Sequence, residues 1–417
     1  VPFHVKHSTA RAWNSTRPSP GMQEVASLDK SSRPARVLMA VGKMDRGGME
    51  TMLMNLYRCI DRNRLQFDFL CTKPGSADFD EEILALGGRI FHTSLPKQAG
   101  SKRILEEMRK VMEEEGPFAA VHAHLLFFNG FVLLAAKRAG TPIRISHSHA
   151  SSLLKYHSLK GKVYASFMRR LLLKNATCLL ACSKQAGIYL YGEKAVGCGQ
   201  VELFANAVDV DAFVCNPQTR ARLRAQFGAG EETLVIGQVG RMIPEKNHIF
   251  LLELARLLKE HGVDCRFLLI GDGPLRASLM QKVALYGLGD MVTFTGLRED
   301  VSDLLQALDG FAMPSLMEGL PVALVEAQAA GLPCVVSDGV SKEADLGLSL
   351  VRFLPTDSPH KKDWFKAVSD CKRQPRPSLE QVRAAFARRG FEVKENAARL
   401  YALYRLSPQS RGGGCDQ

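Results

Sequence analysis

The sequence predicts an α/β protein made of two doubly wound parallel sheets in tandem, facing one another across a crevice. Two observations lead there. Short apolar runs of the buried-strand type alternate with amphipathic segments along the chain, the pattern of a parallel sheet covered by helices on both faces. That cycle also runs twice, restarting after residue 210.

The first half opens with Arg36-Val37-Leu38-Met39-Ala40-Val41, a buried-type strand. A Gly-rich turn at Gly47-Gly48 follows. The next helix has Met49, Met52, Leu53 and Leu56 on one face, at i, i+3, i+4 and i+7. Further strands are expected at 67–71, 119–122, 144–147 and 178–182. The second half repeats the scheme with strands at 234–239, 267–270, 292–295, 311–314 and 334–337, and with helices at 249–261 and 301–308. A last helix, 392–406, offers Val393, Ala397, Leu400, Tyr401 and Tyr404 for burial, and is expected to pack back on the first half. The division is therefore 35–210, 211–390 and a closing helix at 391–406. Residues 1–34 lack apolar periodicity and are rich in Ser, Arg and Pro. They read as a disordered leader in which Met22 is an alternative start, and 407–417 read as a disordered tail.

Composition narrows the class. A chain of 417 residues with 46% apolar and 24% charged residues is globular. The most apolar stretch, 127–136, falls short of the ~18 residues that a membrane span requires. There is no secretory signal pattern at the start. Ten cysteines without a CxxC pair read as buried free thiols in a reducing, cytoplasmic setting.

The net charge of +12 is unevenly spread. Residues 116–192 contain no carboxylate, yet carry Lys137, Arg138, Arg144, Lys155, Lys160, Lys162, Arg169, Arg170, Lys174 and Lys184. Within this stretch, 159–174 is amphipathic with flanking cations. It reads either as a packed helix with a solvated basic face or as a peripheral docking element for an anionic membrane surface at the inner face of the plasma membrane. In the second reading, Val163, Phe167 and Leu171 would add apolar insertion. A nucleic-acid partner is disfavoured by the absence of a recognisable motif and by an aromatic content of 7%.

The residues that carry chemistry gather in the second half. Gly240-Arg241 closes a strand, and Lys246-Asn247 stands just before a helix. Two cations beside a helix N-terminus suit a diphosphate, because unpaired N–H groups and partial positive charge are added to full charges. Downstream lies Glu318-Gly319-Leu320, with Glu326 on the ensuing helix. A carboxylate at Glu326 can accept ribose hydroxyls, and one at Glu318 can accept those of a sugar. The DxD spellings at 78–80 and 209–211 fall at a helix start and between the halves, and neither reads as a metal site. A nicotinamide dehydrogenase would need GxGxxG after the first strand, and Gly42-Lys43-Met44-Asp45-Arg46-Gly47-Gly48 does not fit.

These motifs resemble the retaining glycosyltransferases of family 4, which have the GT-B fold. The resemblance rests on Gly240-Arg241 with Lys246-Asn247, Leu269-Ile270-Gly271-Asp272-Gly273-Pro274, Phe294-Thr295-Gly296, Glu318-Gly319 with Glu326, and Asn206-Ala207-Val208-Asp209 between the halves. It covers residues 36–406 and is nearest to the bacterial exopolysaccharide subgroup. The resemblance implies transfer of a sugar from a nucleoside diphosphate sugar, UDP-linked first, with retention and with neither cofactor nor metal. Arg241 and Lys246 would hold the diphosphate and Glu326 the ribose. Glu318 with the Gly319 and Leu320 amides would hold the sugar, and Leu297 and Arg298 would line the base. Gly48 would approach the donor from the other half, and His124 would be the cleft histidine, in preference to His122. His147 and His149 lie at another strand end of the same half. The acceptor would be a lipid-linked diphosphate at the membrane. A GT-B sugar-nucleotide epimerase is the alternative, against which the Glu318/Glu326 and Arg241/Lys246 pairs argue.

Overall fold

A computed structural model describes residues 33–93, 96–150 and 158–406. The leader, the tail and Lys155 therefore lie outside the described residues. The first half is a seven-stranded sheet, β1 (Ala35–Val41), β2 (Leu65–Cys71), β3 (Ile90–His92), β4 (Ala120–Ala123), β5 (Ile143–Ser148), β6 (Cys178–Ala181) and β7 (Val201–Leu203), ordered β3-β2-β1-β4-β5-β6-β7. The second is a six-stranded sheet, β8 (Leu234–Val239), β9 (Cys265–Ile270), β10 (Val292–Gly296), β11 (Gly310–Met313), β12 (Cys334–Ser337) and β13 (Val351–Leu354), ordered β10-β9-β8-β11-β12-β13. Every strand pair is parallel. The fold class expected from the sequence is the one observed. Three short strands, β3, β7 and β13, were not anticipated.

Both sheets reverse their winding beside their first strand, between β1 and β4 and between β8 and β11. In open α/β sheets ligands sit outside the carboxyl ends of strands at such reversals. Gly48 follows β1 and His124 follows β4. Arg241 follows β8, and Glu318 follows β11. The topology alone thus places the residues singled out by sequence at the two reversal points.

The helix after β1 (Gly48–Cys59) buries Met52, Leu53 and Leu56, while Met49 is half-buried. The closing helix (Val393–Leu403) is shorter than expected and buries Val393, Ala397 and Leu400, with Tyr404 just beyond it. It packs on the Gly48–Cys59 helix of the first half, as expected. Tyr401 is half-buried, because its hydroxyl accepts from the Asp61 amide and its ring lies under Arg64. Of the nine described cysteines none is paired. Cys198 and Cys215 are exposed, against the expectation that all would be buried.

The helix Leu159–Asn175 buries Ala165, Met168 and Leu172. Its opposite face leaves Val163 at 64% and Phe167 at 59% exposure, with Leu159 and Tyr164 beside them. Leu171 is instead packed against the core. Arg169 is also withdrawn from solvent, donating to the Leu190 and Tyr189 carbonyls. The exposed cations of this helix are Lys160, Lys162, Arg170 and Lys174. No helix among the described residues is long and apolar enough to cross a membrane.

Candidate active site

On the second half, the turn after β8 is built by close backbone approach. Met242 N–H donates to the Asp272 carbonyl at 2.9 Å. A Cβ at Gly271 would stand 2.3 Å from the Gly240 carbonyl oxygen, so only glycine permits this contact. Asn247 adopts the left-handed conformation (φ 52°, ψ 43°) that Asn tolerates, and its side-chain amide donates to the Pro314 carbonyl at 3.2 Å. That bond ties the start of the His248–Glu260 helix to the end of β11. The Lys246 stem lies over Gly240, 3.4 Å from where a Cβ would be. Its ammonium pairs with Glu318 at 2.5 Å, both side chains being largely buried.

The Glu318 loop is pinned by its own backbone, with Glu318 N–H donating to Gly339 and Ser341 N–H donating to Glu318. The next two amides, Gly319 and Leu320, donate to no acceptor among the described residues. Glu326 lies on the Val322–Ala329 helix, buried, with no hydrogen-bond partner for its carboxyl among the described residues. Burial raises its pKa to about 7. Arg241 is exposed and its guanidinium is unpaired among the described residues. Leu297 is exposed as well. Arg298 forms a bidentate pair with Asp300 at 2.7 and 2.6 Å, so its fork is already engaged.

Across the crevice, Gly48 stands against Val322, whose Cγ2 would be 3.4 Å from a Cβ there. Arg46 pairs with Glu299 at 2.5 Å, and the Lys184 amide donates to Glu343 at 2.9 Å. Glu50, on the first turn of the Gly48–Cys59 helix, was missed by sequence reading. Its only signal was its place just after the glycine pair. Burial raises its carboxyl to about 7. His248 was missed too, although it directly follows Lys246-Asn247. It is buried, with its ring lowered to about 4 by desolvation and by the nearby Lys246.

The histidines gather on one face of the first sheet. Positions 122, 124, 147 and 149 share a face because side chains alternate along strands and β4 pairs with β5. His122 is a core residue, with Nδ1 2.9 Å from the Tyr404 hydroxyl. His147 does not reach the cleft: it is fully buried, with Nε2 on the Phe204 carbonyl, since it sits inside β5 rather than past its end. His124 is buried and contacts His149 through Nδ1 and Nε2 at 2.9 Å. Desolvation leads the downshift of all four rings, to about 3 for His122 and about 4 for His149, so they are neutral at pH 7. His122, His124 and His147 each offer a ring nitrogen within 4.8 Å of the others. The rings of His122 and His147 are near parallel, at 12°.

Both DxD spellings take part in local structure. Asp78 accepts from the Arg46 amide and Asp80 from the Ala77 amide. Asp209 caps Asp211, which in turn pairs with Arg383 and Lys394.

Two facing Rossmann-like sheets, with cations, carboxylates and free amides gathered at the reversal points, have the architecture of a GT-B enzyme. Family comparison agrees. The description "Glycosyl transferase 4-like domain" matches residues 47–207, and "Glycosyl transferases group 1" matches 219–347. A Bacillus subtilis (strain 168) protein named as the glycosyltransferase EpsF is 40% identical over 379 residues, 91% of this chain and 98% of that one. The UDP-Gal:alpha-D-GlcNAc-diphosphoundecaprenol alpha-1,3-galactosyltransferase of Escherichia coli is 23% identical over 296 residues, 70% of this chain and 76% of that one. Among solved structures, Anabaena HepE in complex with UDP-glucose superposes with a TM-score of 0.71 at 18% identity, over 88% of this chain and 99% of that one. The chain belongs to the family 4 glycosyltransferases of GT-B fold, in the exopolysaccharide subgroup to which its sequence motifs pointed.

Proposed function

We propose that this glycosyltransferase moves a sugar from a nucleoside diphosphate sugar, UDP-linked first, onto a lipid-linked acceptor in surface-glycan synthesis, with retention of anomeric configuration. The observation that carries the reading is the Lys246–Glu318 pair over Gly240, beside the free Gly319 and Leu320 amides. A cation and a carboxylate this close are preorganised for a ligand that is anionic at one end and hydroxylated at the other. Lys246 and Arg241 bind the diphosphate and stabilise the charge that develops on the leaving oxygen. Glu318 and the two amides hold the sugar, Glu326 the ribose, and Leu297 and Arg298 border the base, with the Arg298 fork released from Asp300 or acting through its flat face. Gly48 admits the donor from the first half, and His124 meets the sugar or the acceptor. The boundary between acceptor-side and donor-side domains lies at 210/211.

HepE was solved with UDP-glucose, and the E. coli relative is named for a diphosphoundecaprenol acceptor; both support the choice of substrates. The exposed Val163 and Phe167 among Lys160, Lys162, Arg170 and Lys174 support a peripheral position at an anionic membrane face. With two cations at the leaving group, the chemistry requires no metal. The test is a panel of UDP-, GDP- and ADP-sugars assayed for nucleotide release with a polyprenyl-diphosphate sugar acceptor, in excess chelator. Release from a UDP-sugar is expected. Activity that returns only with magnesium or manganese would overturn the metal-free assignment.

A further inference from the structure

Gln238 is fully buried on β8, two residues before Gly240. Side chains alternate along a strand, so positions 238 and 240 look to the same face of the sheet. Both act on one residue, Lys246. At Gly240 the missing side chain leaves room for the Lys246 stem. At Gln238 the side-chain Nε2–H donates to the Lys246 carbonyl at 3.1 Å. A carbonyl only accepts, so this bond fixes which end of the Gln238 amide is nitrogen. The other end, Oε1, is buried without a partner among the described residues. The residues on either side of Lys246 are held from β11 instead: Leu316 N–H donates to the Glu245 carbonyl at 2.8 Å, and the Asn247 amide reaches the Pro314 carbonyl. A core amide with one bond made and one acceptor left unpaired gains little stability over an apolar side chain of the same size. What the bond does achieve is to fix where Lys246 begins.

We propose that Gln238 is a positioning residue for sugar transfer, which together with Gly240 sets the Lys246 ammonium at the donor diphosphate. This rests on the reading above that Lys246 stabilises the leaving group. A lysine carries its charge on a flexible four-carbon stem, and each of its bonds has three staggered wells. Here that freedom is cut from below. The Gln238 bond anchors the backbone at the root of the stem, and the bare Gly240 gives the stem a channel that ends at Glu318. Stabilising a departing oxyanion depends on charge that is already in place, and a displacement of about 1 Å can cost up to ~100-fold in rate. Binding of the intact donor is shared with Arg241, the Gly319 and Leu320 amides and Glu326, and so depends less on that one placement. Loosening Lys246 should therefore fall on kcat more than on donor KM.

Gln238→Met keeps the length of the side chain and removes the donor. In nucleotide release from UDP-glucose and UDP-galactose by the full-length chain, it is expected to lower kcat about tenfold, with donor KM within about threefold. The thermal midpoint should stay within about 3 °C of the unaltered chain. Gln238→Leu is the second variant should the methionine form not fold, with the same outcomes. The test that a merely structural role would fail is the double variant. In a Lys246→Ala chain, Gln238→Met should cause no further loss, because the group that it positions is gone. A second tenfold loss on top of Lys246→Ala would mean that Gln238 supports the fold at large, and would overturn the proposal. Unchanged kcat in a folded Gln238→Met chain would do the same. If Lys246→Ala alone turned over normally, the leaving-group reading would fall first. A crippled Lys246→Ala beside a normal Gln238→Met would sink only the present inference, so the two failures are told apart.

Discussion

The carboxyl-end edges of the two sheets have the same topology and opposite chemistry. After β8 and β11 the second sheet presents full charges, Arg241, Lys246 and Glu318, held by loops packed backbone to backbone. After β4 and β5 the first sheet presents neutral imidazoles, stacked and desolvated, with burial keeping protons off them. Charge on one side can stabilise a departing diphosphate. Neutral imidazoles on the other would not compete for that anion. The same scaffold thus gives its two edges different charge by what it buries rather than by how it folds.

Removing the charge from the second edge should break this contrast most severely. Lys246→Ala is expected to lower kcat/KM in nucleotide release by about 100-fold, the usual cost of losing one preorganised donor of about 3 kcal/mol. Normal turnover in that variant would remove Lys246 from the leaving-group role. Glu326 sharpens the contrast, since it is the acid on the charged side that burial holds near neutrality. Its carboxyl, raised to about 7, is half protonated at that pH, and a carboxylate accepts a ribose hydroxyl more strongly than the acid does. UDP affinity measured by calorimetry should therefore rise as the pH increases through 7. Glu326→Gln should bind about tenfold more weakly above that pH and show no such slope. An unchanged pH dependence in Glu326→Gln would place the titration elsewhere.

The basic face of the first half extends the comparison to the outside. Lys160→Gln, Lys162→Gln, Arg170→Gln and Lys174→Gln together should reduce co-sedimentation with anionic vesicles several-fold, at about 1 kcal/mol per cation near the surface. Raised salt should have the same effect on the unaltered chain. Arg169 is left out of that set because its guanidinium holds backbone carbonyls, and changing it would test folding instead. Unchanged sedimentation would favour a soluble acceptor. The smallest effect concerns the deepest imidazole. Tyr404→Phe takes a hydroxyl from His122 Nδ1 and leaves a buried ring nitrogen unpaired, which should lower unfolding stability by about 1 kcal/mol in a denaturant titration. No loss would mean that the ring finds another partner.

Much of this was legible in the sequence because parallel strands buried on both faces are written as continuous apolar runs. The strands at 234–239 and 334–337 were read to the residue, and the others to within two residues. β3, β7 and β13 escaped because edge strands of three or four residues leave half-exposed side chains, as Ile90, Phe91 and His92 do, and no periodicity can be seen over so short a span. At the site, Arg241, Lys246, Glu318 and Glu326 were visible because charge beside glycine and a helix start is locally unusual. The His124–His149 contact was not, because its members follow β4 and β5. Only strand pairing brings them together. Arg298 shows the converse: its position was legible, and its engagement by Asp300 was not.

The closing helix has a consequence for the order in which the protein is made. Val208 N–H donates to the Phe391 carbonyl where the chain crosses back, and the first half is then completed by Val393, Ala397, Leu400 and Tyr404. That half is synthesised first but cannot bury the Gly48–Cys59 helix or enclose His122 until the last of these residues has left the ribosome. The second half, whose strands lie between 234 and 354, waits for Trp364, Val368 and Cys371, soon after its last strand. Vectorial synthesis should therefore yield a folded second half attached to a first half still open along one seam, and a stalled or truncated chain would expose that seam to chaperones.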